Sequence, residues 1–365
     1  MEILSAFLFI SYLVSSITAA IIDNTVPRTD VDGNLMDVHD GNIDRWEENN
    51  LFHWYGMGYQ DCELEKGVIP PRNCPGIYSE FGRCGFRNDH AVNLYTSPDL
   101  HNWTFVADIF PVERRPEGIY FRPKVIFNKK NKEYVLWINY LAPASSPLES
   151  YPDARLMVAV SPSPSGPFTI VTEKAGIEVS GGGDFNLMID PNAENATAYI
   201  AYDAWGNNHA LVIEQLTPNY YDALGSLAST GSISPINNEA PILFERSGWY
   251  YLLYGHTCCF CEQGSGAEVW VSQHPLGPWI NIHTDINPGF LGVRDIKAQC
   301  NYVITLQHAD KDPEYMYTGD MWSSAPDNLK SHDIQYWSPP LQFDDTVSPP
   351  TILPMQFVDR FTLHV

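Results

Sequence analysis

Basic residues are scarce in this chain, and charged residues of both signs are fewer than usual. The 365 residues include 21 Lys and Arg against 44 Asp and Glu, which gives a formal net charge of −23. Charged residues make up 18% of the sequence, against about 25% in typical soluble domains. Because like charges repel at long range, this balance argues against nucleic acid and anionic membrane surfaces as partners, and it favours a neutral substrate over an acidic one.

Apart from its N-terminus, the sequence contains no long apolar run. The first 20 residues, MEILSAFLFISYLVSSITAA, form the one stretch of the sequence that is long enough to span a bilayer. This stretch ends in small residues, as a secretory signal peptide does, so we predict a signal peptide at 1–20, one domain at 21–365 and secretion. Glu2 stands where a positive charge is expected, which leaves a retained membrane anchor as the alternative.

The seven cysteines are not accompanied by a histidine cluster that would complete a zinc site. In an oxidising compartment they predict up to three disulfides with one thiol left over, stapling an insertion at 60–88 and a loop around Cys258. Their pairing cannot be read from the sequence. In a secreted chain Asn102 and Asn195, each in an Asn-X-Thr triplet, are candidate glycan acceptors. The cysteines are Cys62, Cys74, Cys84, Cys258, Cys259, Cys261 and Cys300.

Aromatic residues and turn formers are plentiful: 13% of the residues are aromatic, and there are 28 Pro and 25 Gly. This composition indicates many short strands and turns. A short strand that ends in a turn with Ser or Thr recurs five times, at intervals of 64, 56, 55 and 51 residues, and an aromatic strand precedes each copy. Such a unit has the size of one propeller blade, so the sequence predicts an all-β fold, a five-bladed β-propeller. The five markers are Ser97, Ser161, Thr217, Ser272 and Ser323.

The residue that leads the first strand of each repeat is the main functional signal. Since the first strands of all blades line the central channel, these residues are expected to meet at one mouth. They are Asp40, Phe121, Asp184, Glu239 and Gln299. Taken singly, Asp40 and Asp184 are typical turn residues. Their shared place in the repeat favours function, because clustered carboxylates repel one another and lower stability.

Three clustered carboxylates can hydrolyse a glycosidic bond. One carboxylic acid protonates the leaving oxygen, and a carboxylate base deprotonates water on the opposite face of the sugar. A third carboxylate nearby raises the pKa of the acid by like-charge repulsion. This chemistry requires no metal and no organic cofactor, and a structural ion in the channel is left open.

Three segments carry a family resemblance: residues 39–43 (His-Asp-Gly-Asn-Ile), 184–190 (Asp-Phe-Asn-Leu-Met-Ile-Asp) and 239–241 (Glu-Ala-Pro). They resemble the acidic blade motifs of glycoside hydrolase family 43, five-bladed propeller enzymes that invert the anomeric centre. Within that family, the wording is most similar to the exo-β-1,3-galactanase branch. The resemblance implies that Asp40 is the general base, that Glu239 is the general acid, and that Asp184 orients the acid and raises its pKa.

Two positions depart from the branch. It usually carries Glu immediately before the Arg-Pro-Lys triplet, where this chain has Phe121, and it is thought to use a Gln at the position of Gln299 instead of an Asp in the first blade. Because a neutral amide is a poor base, we assign the base to Asp40 and a water-positioning or sugar-binding role to Gln299. Candidate substrate-binding residues are Gln299, Arg122, Phe121 and Trp322.

The sequence therefore predicts a secreted inverting hydrolase of a neutral, β-linked polysaccharide or oligosaccharide. Galactose-containing glycans are the leading substrates, followed by arabinosides and xylosides. Phe121 keeps open the alternative of a carbohydrate-binding propeller without turnover.

Overall fold

The computed structural model describes residues 19–60, 88–143, 153–234, 236–257, 261–290 and 292–365. In these ranges regular structure is almost entirely β, arranged as five antiparallel sheets around one axis, so the predicted five-bladed β-propeller is confirmed. Short 3-10 helices are found at Val112–Arg114, Trp205–Asn207, Gly225–Leu227 and Lys330–His332.

Each blade has three or four strands in sequential order. Blade 1 contains β2 (His39–Arg45), β3 (Phe52–Met57), β4 (Val92–Ser97) and β5 (Thr104–Asp108), and it follows a separate strand, β1 (Ala19–Asp23). Blade 2 contains β6 (Ile119–Asn128), β7 (Glu133–Leu141), β8 (Arg155–Ser161) and β9 (Thr169–Thr172). Blade 3 contains β10 (Gly182–Ile189), β11 (Ala198–Ala204) and β12 (Ala210–Gln215).

Blade 4 contains β13 (Asn238–Arg246), β14 (Trp249–His256), β15 (Glu268–Ser272) and β16 (Ile280–Asp285). Blade 5 contains β19 (Gln299–Leu306), β20 (Glu314–Met321) and β21 (Ile334–Trp337). Two small pairs lie outside the blades, β17 (Gly289–Phe290) with β18 (Val293–Arg294) and β22 (Phe343–Asp344) with β23 (Thr351–Ile352). The last strand is β24 (Arg360–His364).

The first strands of the blades pack side by side and close a ring: β2 contacts β6, β6 contacts β10, β10 contacts β13, β13 contacts β19, and β19 contacts β2. Residues of these inner strands are largely buried on both faces, as the strand β13 illustrates. β13 turns into β14 through Ser247 (φ 53°) and Gly248 (φ 82°), a two-residue hairpin with positive φ at both positions. This ring brings the starts of five distant segments to one mouth of the channel.

The two ends of the described chain meet in a separate antiparallel pair. β1 pairs with β24 over its full length, and Ala20, Ile22 and Leu363 are buried in the same apolar cluster as Trp54 of blade 1 and Trp337 of blade 5. The pair therefore packs across the junction between the first and last blades. Ala19 and Ala20, the last residues of the predicted signal peptide, lie in this strand, while residues 1–18 are outside the described ranges.

The repeat markers fit four of the five blades. Ser97, Ser161 and Ser272 end the third strands of their blades, and Thr217 follows the third strand of blade 3. Ser323 is wrong as the fifth marker, because it follows the second strand, β20; the third strand of blade 5 is β21, and the matching turn begins at Ser338. The Ser-Ser-Ala-Pro sequence at 323–326 resembles the other markers, but it lies in the turn between the second and third strands of blade 5.

Several sequence predictions are not tested by the described residues. Of the seven cysteines, the described residues include Cys261 and Cys300, and Cys300 is a buried free thiol; disulfide pairing and the insertion at 60–88 stay predictions. Asn102 and Asn195 are exposed, and glycosylation also stays a prediction. No helix within the described part of the chain is long and apolar enough to span a bilayer.

Candidate active site

An irregularity in the first strand of each blade forms the mouth of the channel. In β2, β6, β10 and β13 the pairing with the next strand shifts between the residues that flank a two-residue bulge, and β19 has a similar shift after Cys300. In three blades one bulge residue has a left-handed backbone: Asp40 (φ 62°), Arg122 (φ 55°) and Ala240 (φ 53°). Non-glycine residues rarely adopt this conformation, and such strain is concentrated at functional sites.

The five leading residues all lie at this mouth, but they do not share one register position. Glu239 and Phe121 are the last paired residues before the bulge, whereas Asp40 and Asp184 lie within it. Gln299 pairs with Asp320 ahead of the shift in β19. The sequence thus identified the correct strand ends, and the exact phase differs because each bulge directs a different residue towards the axis.

Glu239, the candidate acid, is held by an amide. Gln299 Nε2 donates to Glu239 Oε1 at 2.9 Å and lies 3.4 Å from Asp184 Oδ2. The orientation of the amide is fixed from behind, because Trp322 Nε1 donates to Gln299 Oε1 at 2.9 Å. Glu239 and Gln299 are buried, with 5% and 6% of their surface exposed. Gln299 therefore links the acid to the second carboxylate.

Arg122 links Asp184, the second carboxylate, to Asp40, the third. Its Nη2 lies 2.9 Å from Asp184 Oδ2, and its Nη1 lies 3.6 Å from Asp40 Oδ1 and donates to the Cys300 carbonyl at 3.0 Å. The guanidinium is buried, and although burial favours its neutral form, the charges of Asp184 and Asp40 raise the pKa of Arg122 above its ordinary value. Arg122 thus remains a fixed cation between two carboxylates.

Asp40, the candidate base, lies in a buried and strongly charged environment. Tyr59 donates its hydroxyl to Asp40 Oδ2 at 2.8 Å, and the Asp40 backbone N–H donates to Asp320 Oδ2 at 3.1 Å. Burial raises the pKa of Asp40 above its ordinary value; the charge of Arg122 opposes this rise, while those of Asp320 and Asp184 add to it. Arg122 is thus the largest influence that opposes the rise in the pKa of Asp40.

Lys124 closes the channel beneath the carboxylates. Its Nζ donates to the carbonyls of Asp40 (3.0 Å) and Gly41 and is surrounded further by the backbone and side-chain oxygens of Asn301, at 3.2 and 3.0 Å. Burial holds the pKa of Lys124 well below its ordinary value. Oxygens of this type also bind hard cations, and here they surround the Lys124 amino group. Among the described residues, no group of three or more His, Cys, Asp or Glu is arranged to hold a metal.

The other two predicted substrate-binding residues lie largely below the surface. Phe121 is 9% exposed and packs with Met57, Tyr59 and Trp322 in an apolar cluster beside the mouth. Trp322 is 1% exposed, so in this structure it acts on the site through Gln299, and sugar stacking by Trp322 stays a prediction.

Four residues of the site escaped the sequence reading. Tyr59 lies just beyond β3 and Asp320 lies on a second strand, so neither has the leading position that the repeat made visible. Asp203 and His209 belong to the hairpin of blade 3, and His209 Nδ1 lies 3.0 Å from Asp203 Oδ1. One signal was available for Asp320, since it stands in the Gly-Asp-Met-Trp segment together with Trp322.

Comparison with known proteins decides the family. The family model of glycosyl hydrolases family 43 matches residues 77–286, more than half of the chain. The chain belongs to glycosyl hydrolases family 43. Its enzymes hydrolyse glycosidic bonds, and the prediction of a family 43 propeller is confirmed. No curated protein matches the sequence.

Solved structures of family 43 share the fold. An exo-β-1,3-galactanase from Clostridium thermocellum is 22% identical with a TM-score of 0.71, and the alignment covers 93% of this chain and 66% of that one. An exo-β-1,3-galactanase from Phanerochaete chrysosporium, solved with galactose, is 25% identical with a TM-score of 0.69, covering 94% and 68%. A β-1,3-galactosidase with galactodeoxynojirimycin is 21% identical with a TM-score of 0.69, covering 93% and 99%. The chain spans about two thirds of the length of the two galactanases.

Proposed function

We propose that this family 43 chain is a secreted inverting glycoside hydrolase that acts on neutral β-linked glycans containing galactose. The observation that carries the proposal is the line of contacts from Glu239 through Gln299, Asp184 and Arg122 to Asp40. A likeness to galactanases and a galactosidase supports galactose as the sugar.

The two ends of this line suit the two roles of an inverting enzyme. Glu239 is buried, which favours the protonated acid over the carboxylate, and its hydrogen-bond donor Gln299 is neutral, so this contact adds no positive charge. Asp40 lies next to Arg122, which favours the carboxylate that a base requires. Gln299, Asp184 and Arg122 lie between the two carboxyl groups along this line of contacts, and inversion requires the two groups to be about 6.5–9.5 Å apart so that the attacking water has room.

In the proposed reaction Glu239 protonates the glycosidic oxygen while Asp40 removes a proton from water on the opposite face of the sugar. The bond from the anomeric carbon to the leaving oxygen breaks as the bond to water forms. Asp184 receives Arg122 on one side and Gln299 on the other, so it fixes the position of both groups and adds negative charge near the acid. That charge opposes ionisation of Glu239.

Phe121 supports a second candidate, a carbohydrate-binding propeller without turnover. The aromatic ring stands at the register position that Glu239 has in blade 4, where the galactanase branch usually carries a carboxylate. A lost carboxylate removes one hydrogen-bonding partner of the sugar but leaves the acid and the base in place. Hydrolysis therefore remains the leading proposal, with arabinosides and xylosides as the next substrates.

The deciding experiment is a screen of β-1,3-galactobiose, arabinogalactan, arabinan and xylan with proton NMR of the first anomer released. We expect galactose, released first as the α-anomer. Release of the β-anomer first would overturn inversion, and release from arabinan or xylan alone would overturn the choice of sugar. Binding of these glycans without release by wild type would establish the carbohydrate-binding alternative. Detection of the mature chain in the medium of its host tests secretion.

A further inference from the structure

A histidine and a tryptophan share one buried carboxylate at the edge of the site. Asp203, with 1% of its surface exposed, lies 3.0 Å from His209 Nδ1 and accepts the indole N–H of Trp205 at 3.0 Å. The two rings are 6.2 Å apart and tilted by 46°. Burial raises the pKa of Asp203 to about 6, and the hydrogen bond and charge of His209 oppose this rise. A buried carboxylate with two ring partners fixes the orientation of both rings.

Trp205 also reaches the strand of Asp184. Its indole lies directly against Gly183, where an added Cβ would come within 1.8 Å of Nε1. Gly183 is therefore required for this close approach, and it immediately precedes Asp184. Gly183, the last of three glycines that are typical of a turn in the sequence, thus allows the indole to lie against the strand of Asp184.

His209 is tied to the strand of Glu239 by the backbone. Asn208 (φ 51°) and His209 (φ 60°) both have left-handed backbones, and their carbonyls accept the N–H groups of Asn237 (2.9 Å) and Asn238 (3.0 Å). Asn238 immediately precedes Glu239. Two strained residues in succession therefore lie one strand connection away from the acid, and strain of this kind is concentrated at functional sites.

The imidazole lies farther out than the acid but senses its charge. The His209 side chain is 35% exposed, while Glu239 is 5% exposed. Burial acts to lower the pKa of His209, but the hydrogen bond and charge of Asp203, together with the charges of Glu239 and Asp184, raise it overall. His209 thus stands at the rim of the pocket on the side of the acid.

In a glycoside hydrolase, side chains next to the general acid lie close to the leaving-group sugar. The acid protonates the oxygen that departs with the leaving-group sugar, so polar groups outside the acid face that sugar. Nδ1 of His209 is engaged with Asp203, and Nε2 has no hydrogen-bond partner in the described ranges. A ring nitrogen for a sugar hydroxyl beside an aromatic ring for its apolar face is a suitable combination for a pyranose.

We propose that His209 and Trp205, oriented by Asp203, form the subsite that binds the leaving-group sugar, a neutral pyranose. This inference rests on the proposed function. It assigns His209 a role in binding the sugar beyond the scissile bond and Asp203 a positioning role.

The test compares a sugar that fills the subsite with one that does not. In protein carrying Glu239→Gln, which removes turnover, titration calorimetry gives the Kd of β-1,3-galactobiose and of galactose. Adding His209→Ala should weaken the disaccharide about tenfold relative to galactose, as expected for loss of one hydrogen bond and its contacts. His209→Gln should restore part of the ratio. His308→Ala, which removes a His–Glu pair of 3.1 Å at the other end of β19, is the matched control and should leave the ratio unchanged.

A ratio that stays constant in His209→Ala, or an equal loss for both sugars, overturns the subsite. Failure of wild type to release any sugar overturns the proposed function separately, because the binding ratio is measured without turnover. If the Glu239→Gln protein binds neither galactose nor the disaccharide, both proposals fall for galactosides.

Discussion

The side-chain nitrogen of Gln299 lies 2.9 Å from Glu239 Oε1, in a pocket where both residues are almost fully buried. An amide N–H donor supports either protonation state of Glu239, whereas a cation in that place would hold the group ionised. Arg122 is directed at Asp184 and Asp40. Glu239 and Asp40, the proposed acid and base, thus have different partners within one cluster of carboxylates.

Glu239→Gln is expected to lower kcat by about 10²–10⁴ and to leave binding of the disaccharide largely intact, because the amide keeps the shape but cannot donate the acidic proton. Initial rates with β-1,3-galactobiose measure the effect. Glu245→Gln is the matched control, since the same change is made near the other end of β13, where Glu245 Oε1 accepts the N–H of Gly248. A variant at 239 that retains near-wild-type kcat would contradict the assignment of the acid.

Arg122→Gln should move the acidic limb of the pH profile of kcat/KM to higher pH. The base works as a carboxylate; burial already raises the pKa of Asp40, and Arg122 is the largest opposing influence. Without the cation the pKa of Asp40 rises further, so the active form is lost at a higher pH as the solution is acidified. The change also costs about 3–5 kcal/mol of stability, because the buried Asp40 and the largely buried Asp184 lose their cationic partner.

Arg155→Gln, which removes an Arg–Asp pair of 2.6 Å that includes a half-exposed Asp153, should leave the limb where it is. Arg122→Lys, which keeps the charge, should leave the limb closer to that of wild type than Arg122→Gln does. An acidic limb that stays in place or moves to lower pH in Arg122→Gln would rule out Asp40 as the base.

Trp322→Phe should reduce kcat through the loss of orientation at Gln299. The indole N–H holds Gln299 Oε1 at 2.9 Å, and without it the amide is free to rotate away from Glu239. We expect a loss of about 1–3 kcal/mol in unfolding free energy from the unpaired buried oxygen. Trp337→Phe is the control, because this fully buried indole N–H has no hydrogen-bond partner among the residues that the structure describes. Equal effects of both changes on kcat would speak against an orienting role.

Asp44 lies at the opposite mouth of the channel, where it lines a cavity of about 350 Å³. Its burial is expected to make the free energy of unfolding depend on pH. Burial raises the pKa of Asp44 to about 6, against hydrogen bonds from Asn42 and Tyr302 that lower it. The folded state therefore binds the proton more tightly than the unfolded state. Stability from this group is fully present below the unfolded pKa of about 3.9 and is lost as the pH rises through about 6.

Asp44→Asn should remove this dependence. Measured by chemical unfolding, the stability of wild type minus that of the variant should fall by at most about 3 kcal/mol between pH 4 and pH 7. Other titrating groups are the same in both proteins and cancel in the difference. A difference that does not vary with pH would show that Asp44 titrates normally.

The repeat of strands and turns, read from aromatic and proline spacing, was sufficient to predict the five blades and the strand that begins with Glu239. The repeat was misassigned at Ser323, because a turn inside blade 5 has a sequence similar to that of the turns that follow third strands. It also assigned the leading residues one register position. Bulges change that register by one or two residues, and their pairing depends on the neighbouring strand, which periodicity does not reveal.

The amino-acid sequence alone determined which segments become inner strands, because alternating and aromatic runs between turn residues specify strands locally. Only the tertiary structure decided which partners each carboxylate has: Arg122 for Asp40 and Asp184, Gln299 for Glu239, and Asp203 for His209. These contacts join residues from different blades or across a hairpin. Closure of the ring sets their distances, and the charges and burial that tune each group arise from that closure.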